Sequence, residues 1–412
     1  MSTLVPARVC VHWPRLGPYH LARLGALHER LAADGRELVA LETATADLYD
    51  WRAETAPTPY RRVTLFPGAT FEAVPARAMH RAVTAALDAI DPDAVAITSY
   101  STPDARAALA WCRHRRRAAV MMFDSRAEDT DRAGWREALK RQIVRQFDAA
   151  LVAGVPQAAY ARALGIPPEA VFTPLDTVDN AYFAREAGLA AGGPSSRPGL
   201  QGDCPFFLTV ARLLAVKNLP VLLRAYAAYR AAARDPWPLV VVGDGPLRTQ
   251  LEAAAGPGVI FAGFQQVHAL PAYYGRAGAF VLPSVKDTWG LVVNEAMAAG
   301  LPVLVSTGAG CAQDLVRDGV NGFTFAPADE ARLADLLTRV AAMPAAERAA
   351  LGAASQATIA RYRPEDFAEQ MCRAAEAGTA RAGRGMTIGG RLVVGALRLA
   401  ARSARSFQTI SE

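Results

Sequence analysis

Residues 281–321 read VLPSVKDTWGLVVNEAMAAGLPVLVSTGAGCAQDLVRDGVN, and this stretch constrains the fold of the chain more than any other. An apolar run enters Pro283-Ser284. A short polar turn leads to Trp289-Gly290, and a segment rich in Ala, Met and Glu follows, broken at Gly300-Leu301-Pro302. A second apolar run from Val303 then meets a Gly-rich turn at Gly308-Ala309-Gly310 and another helix start. Strand, loop, helix, strand, loop, helix is the right-handed crossover unit of a parallel sheet.

Two acids hold fixed places in this unit: Asp287 in the loop and Glu295 on the helix, with seven residues between them. A helix start directs unpaired N–H groups and a positive dipole end at whatever lies beyond the strand ends, and a nucleotide phosphate suits that place. The amides of Gly290, Leu291 and Val292 are available for it. Glu295, further along the helix, has the chemistry to accept hydrogen bonds from a ribose, and Asp287 from a sugar. The plainer reading has Asp287 capping the helix and Glu295 as a solvated helix residue. The spacing alone leaves both open.

Three further segments fall in order before this one. Residues 206–224 (FFLTVARLLAVKNLPVLLR) read as a buried strand, then Arg212, then Lys217-Asn218, then an amphipathic helix. Residues 239–246 (LVVVGDGP) are a strand ending in Gly243-Asp244-Gly245, and residues 259–264 (VIFAGF) end in Phe264. With Asp287 and Glu295, these motifs resemble the C-terminal half of the retaining nucleotide-sugar glycosyltransferases of family 4. The resemblance is strong over residues 206–326, weaker over 147–183 and faint before that. It implies the GT-B fold: two facing Rossmann-like, doubly wound α/β domains with an interdomain cleft.

The resemblance also implies roles. Arg212 and Lys217 match the basic pair on the donor diphosphate, and Glu295 the second acid of the Glu-x7-Glu motif, on the ribose. Asp287 stands where the family usually has the first Glu, which meets the donor sugar; the carboxylate is kept but retracted by one methylene. Gly243, Asp244, Gly245, Phe264, Trp289, Gly290, Leu291 and Val292 fall on donor-contact positions. Residues 308–314 resemble the family's Gly-Gly-x-x-Glu stretch.

At 412 residues the chain accommodates two ordinary domains, and 52% apolar with 20% charged residues marks it as globular. The first eight residues lack a secretory pattern, and no run of about 18 uncharged apolar residues is present, so a cytoplasmic location and no spanning helix are expected. Five scattered cysteines without a Cys-x-x-Cys pair argue against a zinc site or a disulfide scaffold, and the histidines lack metal-ligand spacing. The net charge of +6 is local: residues 377–412 hold six arginines and one acid, leaving about +1 for the rest. No nucleic-acid motif accompanies it.

Strand–helix alternation continues through the N-terminal half, with strands expected over residues 8–12, 38–41, 63–66, 94–98, 119–123 and 150–152. In a doubly wound sheet, ligands lie beyond the carboxyl ends of strands. Three loops occupy such places. The first, residues 14–20, holds Gly17 and His20; the family usually has a Gly-rich loop here, and one Gly is Pro in this chain. His20 either bonds an acceptor hydroxyl or phosphate or merely starts a helix. The second, residues 99–102, either lines the acceptor cleft or caps the next helix. In the third, Asp124 either touches the acceptor or caps a helix; many relatives carry His-Asp where this chain has Phe123-Asp124.

The Gly-, Pro- and Ser-rich stretch at 189–203 marks a hinge. The expected division is an acceptor domain over residues 1–185, a linker over 186–203, a nucleotide-sugar domain over 204–361, a helix over 362–378 crossing back to the first domain, and a tail over 379–412. In the tail, Arg391, Arg398, Arg402 and Arg405 share one helical stripe, the pattern of a helix lying on an anionic membrane; a packed or disordered terminus is the alternative.

The function implied is retaining transfer of a hexose-type sugar from a UDP- or GDP-sugar to a glycan, lipid-linked or small-molecule acceptor. No cofactor or metal is expected, with Arg212 and Lys217 standing in for a cation. Two alternatives stay open: a sugar-nucleotide epimerase of the same fold, and a nucleotide-sugar-binding scaffold without catalysis. Gly243-Asp244-Gly245 lacks the third Gly of a dinucleotide fingerprint.

Overall fold

A computed structural model describes residues 5–47, 57–129, 134–191 and 204–382, with short pieces at 389–390, 392–393 and 395–396. The chain divides into two compact units, residues 1–177 with 364–412, and residues 178–363.

The first unit is built on seven parallel strands: β1 (Arg8–Trp13), β2 (Glu37–Ala46), β3 (Arg61–Thr70), β4 (Ala94–Thr98), β5 (Ala118–Phe123), β6 (Ala149–Val152) and β7 (Val171–Phe172). Their spatial order is β3-β2-β1-β4-β5-β6-β7, so the winding reverses between β1 and β4. β5 and β6 are buried throughout, which accounts for their unbroken apolar runs AAVMMF and AALV. The two-residue β7 is too short to leave a period in the sequence.

The second unit has six parallel strands: β8 (Phe207–Val210), β9 (Leu239–Val242), β10 (Val259–Gly263), β11 (Ala279–Leu282), β12 (Val303–Ser306) and β13 (Gly322–Phe325). Their order is β10-β9-β8-β11-β12-β13, and the winding reverses between β8 and β11. The helices Leu219–Ala232 and Glu330–Ala342 cover one face, burying Leu222, Tyr226, Leu333, Leu336 and Val340 against Phe207, Val241, Val281 and Leu304. The second helix is capped by Asp329, whose carboxylate accepts from the Arg332 amide at 2.9 Å.

One helix changes the division expected from the sequence, and a second differs from it only in its bounds. Asn180–Ala191 was assigned partly to the first domain and partly to the linker, yet it belongs to the second unit. Phe183 is buried edge-on to Tyr274 at 6.0 Å between ring centroids, and Asn180 donates to the Ile359 carbonyl at 2.9 Å. Linker residues 192–203 lie outside the described residues. The C-terminal helix is Pro364–Ala382, longer than expected, and packs within the first unit. Phe367, Met371, Ala374 and Ala375 enter that unit's core, while Glu369 and Glu376 pair with Arg30 and Arg36 at 3.1 and 2.9 Å.

Arg381, counted with the tail in the sequence, lies on this helix and pairs with Glu169 at 3.3 Å. The tail arginines Arg391, Arg398, Arg402 and Arg405 lie outside the described residues; nearby, Val393 packs against the first unit's core. Among the described residues, no helix is long and apolar enough to cross a membrane.

Candidate active site

In the second unit, the loops after β8, β11 and β12 meet at the reversal point of the sheet, where open α/β sheets bind ligands. Lys217 ends a single 3-10 turn after β8 (Ala215–Lys217), and Asp287 lies in the loop after β11. Lys217 Nζ donates to Asp287 Oδ2 at 2.5 Å, with 21% and 13% of the two side chains exposed. The sequence placed these residues 70 positions apart.

Main-chain bonds hold the pair on both sides. The Val216 carbonyl accepts the Val285 amide at 2.9 Å, fixing the lysine turn to the Asp287 loop. The Asp287 amide donates to the Gly308 carbonyl at 3.1 Å, and its own carbonyl accepts the Gly310 amide at 2.9 Å. Gly308 permits this approach, because a Cβ there would lie 2.3 Å from the Val285 carbonyl oxygen. Asn218, left-handed at φ 56°, stitches the same place by donating from Nδ2 to the Pro283 and Pro327 carbonyls at 3.1 and 2.8 Å. Asn tolerates this backbone better than most residues.

The helix Leu291–Ala298 starts beside the pair with Gly290 as its N-cap, at φ 102°. The Leu291 and Val292 side chains are half-buried, and their amides belong to the first helical turn. Glu295 is fully buried, and Tyr274 donates to its Oε2 at 2.6 Å. This corrects the solvated-helix alternative for Glu295, because a carboxylate inside the unit needs such a partner. Asp287 does not play the plain capping role either: Gly290 is the N-cap, and the Asp287 carboxylate is turned to Lys217.

Trp289 also departs from its expected donor contact. It is 1% exposed, donates from Nε1 to Asn294 Oδ1 at 3.0 Å and lies 5.8 Å from the Tyr362 ring, so its side chain is core.

The Gly243-Asp244-Gly245 turn after β9 abuts the Arg212 loop. A Cβ at Gly243 would fall 1.9 Å from the Ala211 carbonyl oxygen, and the Leu213 amide donates to the Asp244 carbonyl at 2.9 Å. These glycines therefore serve loop-on-loop packing. The Asp244 carboxylate serves its own turn, accepting from Gly245 N and from Arg248 at 2.7 Å each; the Arg248 bond, first, and the Gly245 bond hold it below the usual carboxylate range. Arg212 is exposed, and Phe264 follows β10 half-buried, next to Gly263, whose carbonyl accepts the Gly243 amide at 2.8 Å.

The first unit treats its polar groups differently. At its own reversal point, His12 of β1 is fully buried; Nε2 lies 3.1 Å from Thr43 Oγ1 and 3.3 Å from Asp104 Oδ2. Thr43 donates to the same Asp104 oxygen at 2.7 Å. Burial alone would raise the Asp104 pKa, but the contact and charge of His12 and the Thr43 hydroxyl bring it below the usual range. The loop after β1 is anchored by buried Glu42, which accepts the Leu16 amide at 3.1 Å.

His20 Nδ1 accepts the Gly17 amide at 2.9 Å, and its ring lies 4.7 Å from Trp13. Burial, then the charges of Arg23 and Arg15, lower its pKa from 6.5 to about 3, so the imidazole is neutral and Nε2 carries the proton. Gly17 is the N-cap of this helix and His20 accepts its amide, so His20 is a helix-start residue. Asp124 is half-buried after β5, and its charge acts on buried Arg23. Arg23 donates to the Thr177 carbonyl at 3.0 Å and to Asp176 at 3.2 Å.

Sequence reading missed Tyr274, Asn218, Arg23 and the His12–Thr43–Asp104 set. Only Asn218 carried a signal, as a turn-prone residue before Leu-Pro.

Residues 195–358 match the family Glycosyl transferases group 1, so that segment carries the family's pattern. An uncharacterized glycosyltransferase of Methanocaldococcus jannaschii is 35% identical over 134 residues, 31% of this chain and 34% of the relative. The D-inositol 3-phosphate glycosyltransferase of Frankia alni is 36% identical over 164 residues, 36% of this chain and 40% of the relative. The chain thus spans less than half the length of either relative. In three dimensions it is similar to a protein described as trehalose-6-phosphate from E. coli, bound with UDP-2-fluoro glucose. The TM-score is 0.68 at 15% identity, covering 90% of this chain and 99% of that one. The fold class is GT-B, with two Rossmann-like parallel-sheet domains.

Proposed function

We propose that this protein is a retaining glycosyltransferase of family 4. In this reading it moves a hexose-type sugar from a UDP- or GDP-sugar to a glycan, lipid-linked or small-molecule acceptor, with no metal required. The observation that carries the reading is the Lys217–Asp287 pair at the β8/β11 reversal, beside the helix start at Gly290, inside the segment that matches the family. The glycosyltransferase relatives and the UDP-sugar bound by a protein of like fold support it.

The donor diphosphate lies against Lys217, Arg212 and the amides of Leu291 and Val292. The acceptor is taken by the first unit's loops after β1, β4 and β5, where Gly17, His20 and Asp124 stand. As the C1–oxygen bond to the diphosphate breaks, Lys217 and Arg212 stabilise the charge gathering on the leaving group. The acceptor oxygen bonds C1 on the same face, and its proton passes to a diphosphate oxygen. Glu295, whose carboxylate is held by the Tyr274 hydroxyl at 2.6 Å, accepts from the ribose hydroxyls.

The test is thermal unfolding in EDTA with UDP, GDP, dTDP and ADP, followed by product analysis. A nucleotide at about 100 times its Kd adds about 2.7 kcal/mol of stability. Stabilisation by UDP or GDP, and product of retained anomeric configuration only with an acceptor present, is expected. Donor isomerised without acceptor identifies the epimerase; binding without turnover identifies the scaffold. The tail beyond residue 382 is included as a contact for anionic membrane, read by co-sedimentation with phosphatidylserine vesicles.

A further inference from the structure

We infer that Asp287 is a positioning residue for Lys217, acting on the donor's diphosphate rather than reading the donor's sugar. This rests on the donor-site reading above and deepens it. Three observations on one loop system carry it.

First, the carboxylate is already engaged: Oδ2 receives Lys217 Nζ at 2.5 Å. Second, the aspartate is the rigid member of the pair. Its main chain is bonded on both sides, to the Gly308 carbonyl at 3.1 Å and from the Gly310 amide at 2.9 Å. Together these two bonds form a parallel bridge to Ala309. Lys217 instead reaches the site on four flexible methylenes from the end of a single turn. An ammonium on such a stem loses much rotamer freedom when fixed, so a fixed counter-charge that has already restricted it makes phosphate binding easier. Third, the two loops cannot drift apart independently. The Val216 carbonyl holds the Val285 amide at 2.9 Å, and Asn218 holds the Pro283 carbonyl at 3.1 Å.

The short side chain fits this role. A carboxylate placed one methylene back from a sugar, and bonded to the lysine, is suited to aiming the lysine. An ammonium has three donors; with one on Asp287, two remain for phosphate oxygens.

The experiment is calorimetric titration of the full chain and its Asp287→Asn and Asp287→Glu variants. The probes are the nucleoside diphosphate that binds wild type and the corresponding sugar nucleotide. Asp287→Asn is expected to weaken both ligands by the same factor, about tenfold or 1.4 kcal/mol, with the ratio of the two Kd values unchanged. Asp287→Glu keeps the charge within reach of a flexible lysine and is expected to recover most of that loss. Melting curves of the free variants check that the fold is kept.

Unchanged or tighter diphosphate binding by Asp287→Asn, with loss confined to the sugar nucleotide, overturns the inference and returns Asp287 to sugar recognition. Tighter binding of both ligands also overturns it, since Asp287 would then compete with phosphate for Lys217. If wild type binds no nucleoside diphosphate at all, the donor-site reading itself fails.

Discussion

The two units share a sheet type but keep their charges in different places. In the second unit, the reversal point between β8 and β11 carries its ion pair on loops, tied down by main-chain bonds. In the first unit, the reversal point between β1 and β4 has its polar set inside the sheet and adjoining helix, with His12, Thr43 and Asp104 without exposed surface. A charge on a knitted loop is available to a ligand at little cost to the fold. A charge in the interior is committed to the fold, because losing one partner leaves the others unpaired where water does not reach. On the function proposed above, the same kind of residue serves chemistry in one unit and architecture in the other.

Asp104→Ala is the severest test of that contrast. It leaves His12 and Thr43 facing a vacated buried site and is expected to cost about 3–5 kcal/mol, read as a lower urea midpoint. Full stability with lost turnover would move this set from architecture to chemistry. Lys217→Ala should do the opposite: kcat/KM falls by about 10²–10³, while stability falls much less than in Asp104→Ala because the Lys217–Asp287 pair keeps some exposure. A variant with normal turnover breaks the assignment of the second unit's loops.

Tyr274→Phe sits between the two, because it removes one donor from buried Glu295. A loss of about 1–3 kcal/mol in unfolding free energy is expected. Nucleotide binding should change as well if Glu295 meets the ribose, and stay constant if Glu295 only packs.

The last comparison is made by pH and concerns His20. Its folded pKa of about 3 lies below the unfolded value near 6.5, so the folded protein resists the proton that the unfolded chain accepts. The stability that comes from keeping it neutral is present above about pH 6.5 and is lost as pH falls toward 3. His20→Asn should flatten the decline of melting temperature between pH 6 and 4, and an unchanged slope would place the proton linkage elsewhere.

Much of the second unit's fold was legible because its strand and helix order is written locally. The strand ends, the helix start at Gly290 and the two acids lie within one crossover unit, and period and spacing report such short-range order directly. The alternation of the first unit was equally plain, and the helix Ala76–Ile90 follows its apolar period, burying Met79, Val83, Leu87 and Ile90. The first unit's polar set left no trace, because His12, Thr43 and Asp104 come from three elements and look in sequence like ordinary strand and helix residues.

What the sequence by itself determined is the repeated strand–helix order, the parallel winding that follows from it, and the placing of Asp287 and Gly290 at a strand's carboxyl end. Only the tertiary structure decided that Lys217 meets Asp287, that Trp289 and Glu295 are interior, and that Asn180–Ala191 belongs to the second unit. The reason is range. Secondary structure follows from each residue's near neighbours, whereas burial and pairing depend on which distant surfaces exclude water together, and no local pattern encodes that.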